Sequence, residues 1–193
     1  MARTARITTD DIVAAAVELV RTQGHECLNV RALASALGCS TQPILYHFAT
    51  MGEVRDAAYQ AIDELHSAYL MTGLETAQDP LMQLGLNYVR FAHDEPRLFR
   101  LLFQTDAFGR QDLTSMVAAP EVQEMVQVVA QSAGVGVEDA QRVFLGIFVT
   151  AHGFASLVAN NSLSYDEALV AGVLEATYVG AMQGKDDSPC SSC

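Results

Sequence analysis

Apolar residues recur along the chain at spacings of three and four, with no strand-like alternation, so nearly every segment reads as amphipathic helix and an all-α fold is expected. In the first segment Ile12, Ala15, Ala16, Leu19 and Val20 share one face, Thr9 is placed to cap it and Gly24 to end it. Asn29 can cap a second helix that turns Leu33, Ala36 and Leu37 inward and stops at Gly38, and Ser40 can cap a short third one through Phe48. Three short helices within about 50 residues bury little surface alone, so they must lean on the helices beyond residue 50. A longer pattern over residues 52–77, with Val54, Ala58, Ile62, Leu65 and Tyr69 on one side, predicts a connecting helix. Asp79-Pro80 restarts helix with Leu84, Tyr88, Val89 and Phe91, and Glu95-Pro96 breaks it before a short apolar helix over 98–103. Beyond a polar stretch at 109–112, helices are predicted over 120–133, from Val137 onward, and after a Ser164-x-x-Glu167 capping box to near Met182. Residues 184–193 are polar and expected to be disordered.

The 193 residues, 50% hydrophobic and 18% charged, suit one compact domain or a small one joined to a larger, and exclude a long disordered chain. Cys27, Cys39, Cys190 and Cys193 are too few and too scattered for a disulfide scaffold, so a reducing, cytoplasmic setting is expected. Cys190-x-x-Cys193 supplies two ligands where zinc takes four, so no metal is expected there, and Cys27 and Cys39 are expected to fill a small core. The apolar stretch at 12–20 is interrupted by Glu18 and does not resemble a secretory signal. The uncharged run at 143–165 is long enough to span a bilayer. It contains Thr150, His152, Ser156, Asn160 and Asn161, so a helix buried in an oligomer core is expected instead, with no membrane partner. The net charge of −12 is unevenly placed: the chain is neutral through Phe48 and the whole acidic excess lies beyond it. A polyanion would therefore be met by the first ~48 residues, where the field is least unfavourable.

Residues 29–48 have helix-turn-helix spacing. Ala34 is small where the second helix must cross close over the third, and Gly38, four residues on, permits the positive φ of a tight turn. Leu33, Leu37, Ile44 and Phe48 close a small core, leaving Thr41, Gln42, Leu45 and Tyr46 to project from a third helix that fits the major groove. Gln42 can bridge adenine N6 and N7, Thr41 and Leu45 can touch a thymine methyl, and Arg31 can reach guanine or a phosphate. Tyr46 and His47 suit phosphate contact, the backbone N–H groups after Asn29 and Ser40 add dipolar attraction, and Arg3 and Arg6 lie on an arm able to follow the DNA backbone or minor groove. Each has a structural alternative: Tyr46 and His47 can cap the helical core, and Arg31 can pair with Glu26.

On these residues the segment 7–48 resembles the DNA-binding domain of TetR-type (TetR/AcrR-like) transcriptional repressors. The shared features are Ala15-Ala16 with Leu19, Gly24, Val30-Arg31-x-Leu33-Ala34, Leu37-Gly38 and Tyr46-His47-Phe48. Two positions depart from the pattern: Leu45 stands where members usually carry Tyr and Met51 where they carry Lys, both phosphate-contact positions in the family. Each lost contact would lower the salt slope of DNA binding by about 0.9. The resemblance implies an all-helical homodimer with a helix-turn-helix domain over 1–50, a larger ligand-binding and dimerisation domain over 51–183 and a tail over 184–193. It also implies that the last two long helices form the dimer interface, where Gly146, Gly153, Gly172 and Gly180 allow close approach. Two third helices would then lie about 34 to 36 Å apart on a near-palindromic operator of double-stranded DNA. A small-molecule effector would lie among Tyr69, Tyr88, Phe91, Met125, Phe148 and His152, any of which can equally be core, His152 through a structural hydrogen bond. No cofactor is implied.

The expected function is thus ligand-responsive transcription regulation, by a repressor that binds a palindromic operator as a homodimer and is released by a small molecule. Catalysis is not expected: there is no Gly-rich phosphate loop, metal triad or nucleophile with a sequence-adjacent partner. The alternative is a helical dimeric ligand-binding or interaction protein that has lost DNA binding, which Leu45, Met51 and the −12 charge would suit.

Overall fold

The computed structural model describes residues 7–105, 120–161 and 163–183; Arg3, Arg6, the polar stretch at 109–112 and the tail with Cys190 and Cys193 lie outside the described residues. The fold is all-α. In chain order the described helices are α1 (Thr9–Gln23), α2 (Val30–Ala36), α3 (Gln42–His47), α4 (Met51–Leu70), α5 (Pro80–Asp94), α6 (Pro96–Phe103), α7 (Pro120–Ala133), α8 (Val137–Asn161) and α9 (Glu167–Gln183). Short 3-10 turns stand at His25–Cys27 and Leu74–Thr76.

Helix ends follow the side chains that satisfy the first free N–H groups, and three of these differ from expectation. Thr8, not Thr9, caps α1: its hydroxyl accepts from the Asp11 N–H at 3.1 Å while the Asp11 carboxylate accepts from the Thr8 N–H at 2.8 Å. Those bonds hold the Asp11 carboxyl below its ordinary pKa. Helix α3 is preceded by Thr41 rather than Ser40, without a side-chain cap, and has Pro43 in its first turn. Helix α9 starts behind Asp166, whose carboxylate accepts from the Leu169 N–H at 3.1 Å, so Ser164 lies outside the cap. Asn29 and Asp79 cap α2 and α5 as the sequence indicates. The helix predicted over 52–77 stops at Leu70, and Gly73, at φ 74°, lies beyond it in the left-handed region.

Two compact units emerge, Met1–Leu70 with Asp94–Ala107 and Met71–His93 with Phe108–Cys193. Packing therefore does not divide at residue 50: α4 and α6 belong with the first three helices. In this first unit α1 contacts α4 and α6 and buries Ile12, Ala16, Val17, Leu19 and Val20. In the same unit α4 buries Val54, Ala58 and Ile62, and α6 buries Leu98, Phe99 and Leu102. Arg21 Nε donates to both oxygens of Glu95 at 3.0 Å, and Arg97 donates to the Arg21 carbonyl at 3.2 Å. His66 is buried with its ring 4.9 Å from that of Phe103. Cys39 is half-buried, but Cys27 is exposed in the 3-10 turn, so it does not fill the core as expected.

In the second unit Val126, Val129 and Ala130 of α7 pack with Ala140, Val143 and Phe144 of α8, and α8 lies along α9. Gly85 is the closest approach: a Cβ there would stand 3.0 Å from Leu174 Cδ1 and 3.5 Å from Ile147 Cγ2. Buried Asn87 donates to the Thr72 carbonyl at 2.8 Å and accepts from Gln83 at 2.9 Å, which satisfies its amide inside the core. Helix α8 is long and apolar enough to cross a membrane by length and composition. One of its faces is nonetheless buried, through Ala140, Val143, Ile147, Ala151 and Ala155, while Val149 and Leu157 are exposed. On α9, Val170 and Leu174 point inward, and Leu169, Val173 and Val179 outward.

Gly85→Val should lower stability by about 1–3 kcal/mol through overpacking against Leu174, measured by urea unfolding. Gly85→Ala should be milder, because about 1 kcal/mol of helix propensity offsets part of the crowding. A second expectation concerns His66, whose imidazole burial pushes down from 6.5 to about 4. Between those values the unfolded chain holds more protons, so stability complete above pH 6.5 should fall as pH drops toward 4 and then level for this group. The loss should reach up to about 3 kcal/mol, and His66→Leu should flatten that part of the pH–stability curve.

Candidate functional site

Helices α2 and α3 are joined by a turn that closes on the backbone: the Gly38 N–H donates to the Ser35 carbonyl at 3.2 Å and the Cys39 N–H to the Ala34 carbonyl at 2.9 Å. Gly38 takes φ 63°, which a side chain would resist. Leu33, Ala34, Ile44 and Phe48 are buried beneath the pair. With Ile44 as the inward anchor, the remaining length of α3 is turned out: Gln42 is exposed, Leu45 is 52% and Tyr46 74% exposed, and Thr41 is half-buried at the entrance. Arg31 is exposed on α2, and among the described residues it forms no ion pair with Glu26, which instead faces His25 at 3.6 Å. Asn29 accepts from the N–H groups of Arg31 and Ala32 at 3.1 Å, so its side chain serves the cap, while Ser40 is exposed on the turn.

His47 takes the structural place that the sequence offered beside phosphate contact. Its Nε2 lies 3.0 Å from the Ile7 carbonyl and its Nδ1 3.2 Å from the Thr9 hydroxyl. Nε2–H therefore donates to the carbonyl and Nδ1 accepts the hydroxyl proton, leaving both ring nitrogens engaged in holding α3 to the start of α1. Its ring also meets that of Tyr46 edge-on at 5.3 Å. Sequence spacing gives no sign of this, because the partners are about 40 residues away. The start of α4 is fixed locally: Thr50 accepts from the Glu53 N–H at 3.2 Å, and the Glu53 carboxylate from the Ala49 N–H at 2.9 Å. Met51 thus stands at the first position of α4, half-buried.

The six effector candidates are not brought together. Tyr88, Phe148 and His152 cluster in the second unit, with Tyr88 Oη 2.9 Å from His152 Nδ1, Tyr88 and Phe148 ring centroids 5.9 Å apart, and those of Phe148 and His152 5.8 Å apart. Burial pushes the Tyr88 phenol pKa up and the His152 pKa down, which holds both members of this hydrogen-bonded pair neutral. Phe91 is buried in the core. Met125 lines a separate recess of about 230 Å³ with Leu81, Leu84 and Val129, joined by Met71 and Leu74 ahead of α5. Tyr69 belongs to the first unit and donates to Asp94 at 2.5 Å. No group of three or more metal-ligating side chains occurs among the described residues.

Residues 81–177, half of the chain, match the family described as tetracyclin repressor-like, C-terminal domain. The chain belongs to the TetR-like family of transcription regulators. It is accordingly a regulator of the helix-turn-helix, ligand-responsive type and not an enzyme. Solved structures that share the fold include two with bound small molecules. One is a TetR variant from Acinetobacter baumannii AYE in complex with minocycline, 15% identical, covering 94% of this chain and 99% of that one at a TM-score of 0.60. The other is the multidrug binding protein EbrR complexed with imidazole, 18% identical, covering 86% of this chain and 87% of that one at a TM-score of 0.54. No curated protein matches the sequence at a significant level.

Because His47 ties α3 to α1, His47→Ala should destabilise the TetR-like chain by about 1–2 kcal/mol, the loss of two side-chain hydrogen bonds. Thermal or urea unfolding measures this directly.

Proposed function

We propose that this TetR-like protein is a repressor that binds a near-palindromic operator as a homodimer and is released by a small molecule. The observation that carries the reading is the sidedness of α3, a six-residue helix that seals the head with Ile44 and turns Gln42, Leu45 and Tyr46 to solvent. In this reading Gln42 reads adenine, Leu45 and Thr41 pack against thymine methyls, and Arg31 reaches guanine or a phosphate. Tyr46 and the helix starts at Asn29 and Ser40 hold the backbone, joined by Arg3 and Arg6 from the arm. The first 50 residues carry the reading contacts, seated on α4 and α6 of the same compact unit, and within 51–183 the effector and dimer surfaces are assigned to the second unit.

The dimer reading is supported by the outward apolar stripe of α8 and α9, with Val149, Leu157, Leu169, Val173 and Val179 exposed. Gly153, Gly172 and Gly180 have open space over their Cα atoms, as a closely approaching helix would require. An effector held at Tyr88, Phe148 and His152, or in the recess beside Met125, needs a coupling of only about 1–3 kcal/mol to change operator affinity 5- to 150-fold. The minocycline and imidazole complexes of the fold's relatives make such a ligand reasonable.

Fluorescence anisotropy against promoter fragments at several salt concentrations tests the reading, with two chains per operator and a negative salt slope expected. Gln42→Ala should weaken operator binding by about 1–3 kcal/mol and relax specificity at a single base pair. Dimers that bind no duplex at any salt concentration would instead favour the interaction-protein alternative, in which Leu45, Met51 and the −12 charge mark lost DNA binding.

A further inference from the structure

The recess of about 230 Å³ beside Met125 lies wholly within the second unit. Three parts of the chain converge on it: Met71 and Leu74 from the segment between α4 and α5, Leu81 and Leu84 from α5, and Met125 and Val129 from α7. Gly73, in the left-handed region at φ 74°, makes the bend between Met71 and Leu74. Leu81 and Met125 also pack against the core of Val126, Val143 and Phe144, so the recess borders the apolar interior of the unit.

None of the described lining side chains is charged or carries an N–H, an O–H or an oxygen. A charged group drawn into the recess would lose its water without gaining a partner. The flanking chain is acidic as well: exposed Glu75 follows Leu74 and exposed Asp79 precedes Pro80, and the whole acidic excess lies beyond Phe48. An anion is therefore disfavoured twice over, and an uncharged apolar body fits. An apolar cavity of about 150 Å³ takes up benzene, so this larger one admits an alkyl-substituted ring or a chain of about eight carbons. Met71 and Met125 are unbranched thioethers whose rotamers adapt to bodies of different shape. Met71 is 62% exposed, an apolar side chain that such a body would cover. The other effector candidate differs in kind, because Tyr88 and His152 present a hydroxyl and an imidazole bonded to each other.

We propose that the small-molecule effector is an uncharged, mainly apolar compound, a medium-chain alcohol or an alkyl-substituted ring, held in this recess. Its role as effector rests on the repressor reading above; its binding does not. The bound body fills the gap between α5 and α7 and holds Met71 and Leu74 over it.

Calorimetric titration of the full chain with 1-butanol, 1-hexanol and 1-octanol, and with octanoate at equal ionic strength, tests the binding. Octanol should bind once per chain with a Kd of about 1 mM or tighter, each CH₂ removed should weaken binding about three- to four-fold, and octanoate should bind at least about ten-fold more weakly than octanol. Leu84→Phe, which fills the recess, should weaken octanol binding at least about ten-fold. Met71→Asp puts a carboxylate at an exposed position, where the fold tolerates it, and should weaken octanol several-fold. Leu65→Ser, on an exposed apolar residue of the first unit, should change nothing. In the anisotropy assay saturating octanol should lower operator affinity at least about five-fold, and should not do so for Leu84→Phe. No saturable octanol binding, the result if another segment or a second copy fills the recess, would overturn the proposal. So would equal affinities for octanol and octanoate, binding unchanged in both Leu84→Phe and Met71→Asp, or operator affinity unmoved by bound octanol. A chain that binds octanol in this pattern but binds no operator would sink the repressor reading alone and leave the ligand class of the recess standing.

Discussion

The apolar face of α1 is the contact on which the reading head depends. Ile12, Ala16 and Val20 are wholly buried, and their partners come from α4 and α6, helices that lie well outside the helix-turn-helix segment. Each fully buried aliphatic side chain contributes about 1.5–3 kcal/mol, whereas an ion pair as exposed as Arg21 with Glu95 contributes about 0–1 kcal/mol. Apolar burial therefore supplies the cohesion. The Arg21–Glu95 and Arg97–Arg21 bonds join the end of α1 to the start of α6. A six-residue α3 has no stability of its own in water, so its position is inherited from this platform through Ile44, Phe48 and the His47 tether.

That inheritance explains how a helix can keep Leu45 and Tyr46 in solvent without losing its place. The inward side is saturated by Ile44 below and by the tight turn at Gly38 before it, so the outward side is free to vary in chemistry. Apart from the edge of the Tyr46 ring against His47, these exposed groups add little to the packing of the head. Their placement is consistent with the proposed groove contact, where a thymine methyl offers an apolar partner.

Periodicity made the helices legible because burial on one side is a local property of the sequence. It located α7 within its residues and the breaks at Gly24, Gly38, Asp79-Pro80 and Glu95-Pro96. Caps were legible only to within a residue or two. Thr8 and Thr9 are chemically equivalent candidates, and the choice fell to Thr8 because Asp11 stands three residues on to complete the box. Ser164 lost to Asp166 for a similar reason, a carboxylate nearer the first free N–H groups. Long-range choices were not legible. Nothing in the pattern of Leu98, Phe99 and Leu102 says that α6 packs with α1 and α4, both distant in sequence. The same holds for His47, whose donor and acceptor both find partners at the start of α1, and for Tyr69, whose hydroxyl reaches Asp94.

The helical glycines show how one residue type answers two constraints. At Gly85 and Gly146 a Cβ would press on Leu174 at 3.0 Å and on Thr177 at 3.3 Å, so their small size is used inside the chain. At Gly153, Gly172 and Gly180 no neighbouring atom lies within 4 Å of a built Cβ. Each interior helical glycine is about 1 kcal/mol worse than alanine, so these three together weaken α8 and α9 by about 3 kcal/mol without any packing gain in the single chain. They lie on helices that also expose Val149, Leu157, Leu169 and Val173. Bare backbone flanked by aliphatic side chains is what a second helix needs for close approach, and in the proposed dimer the loss in helix propensity is offset by burial across that seam.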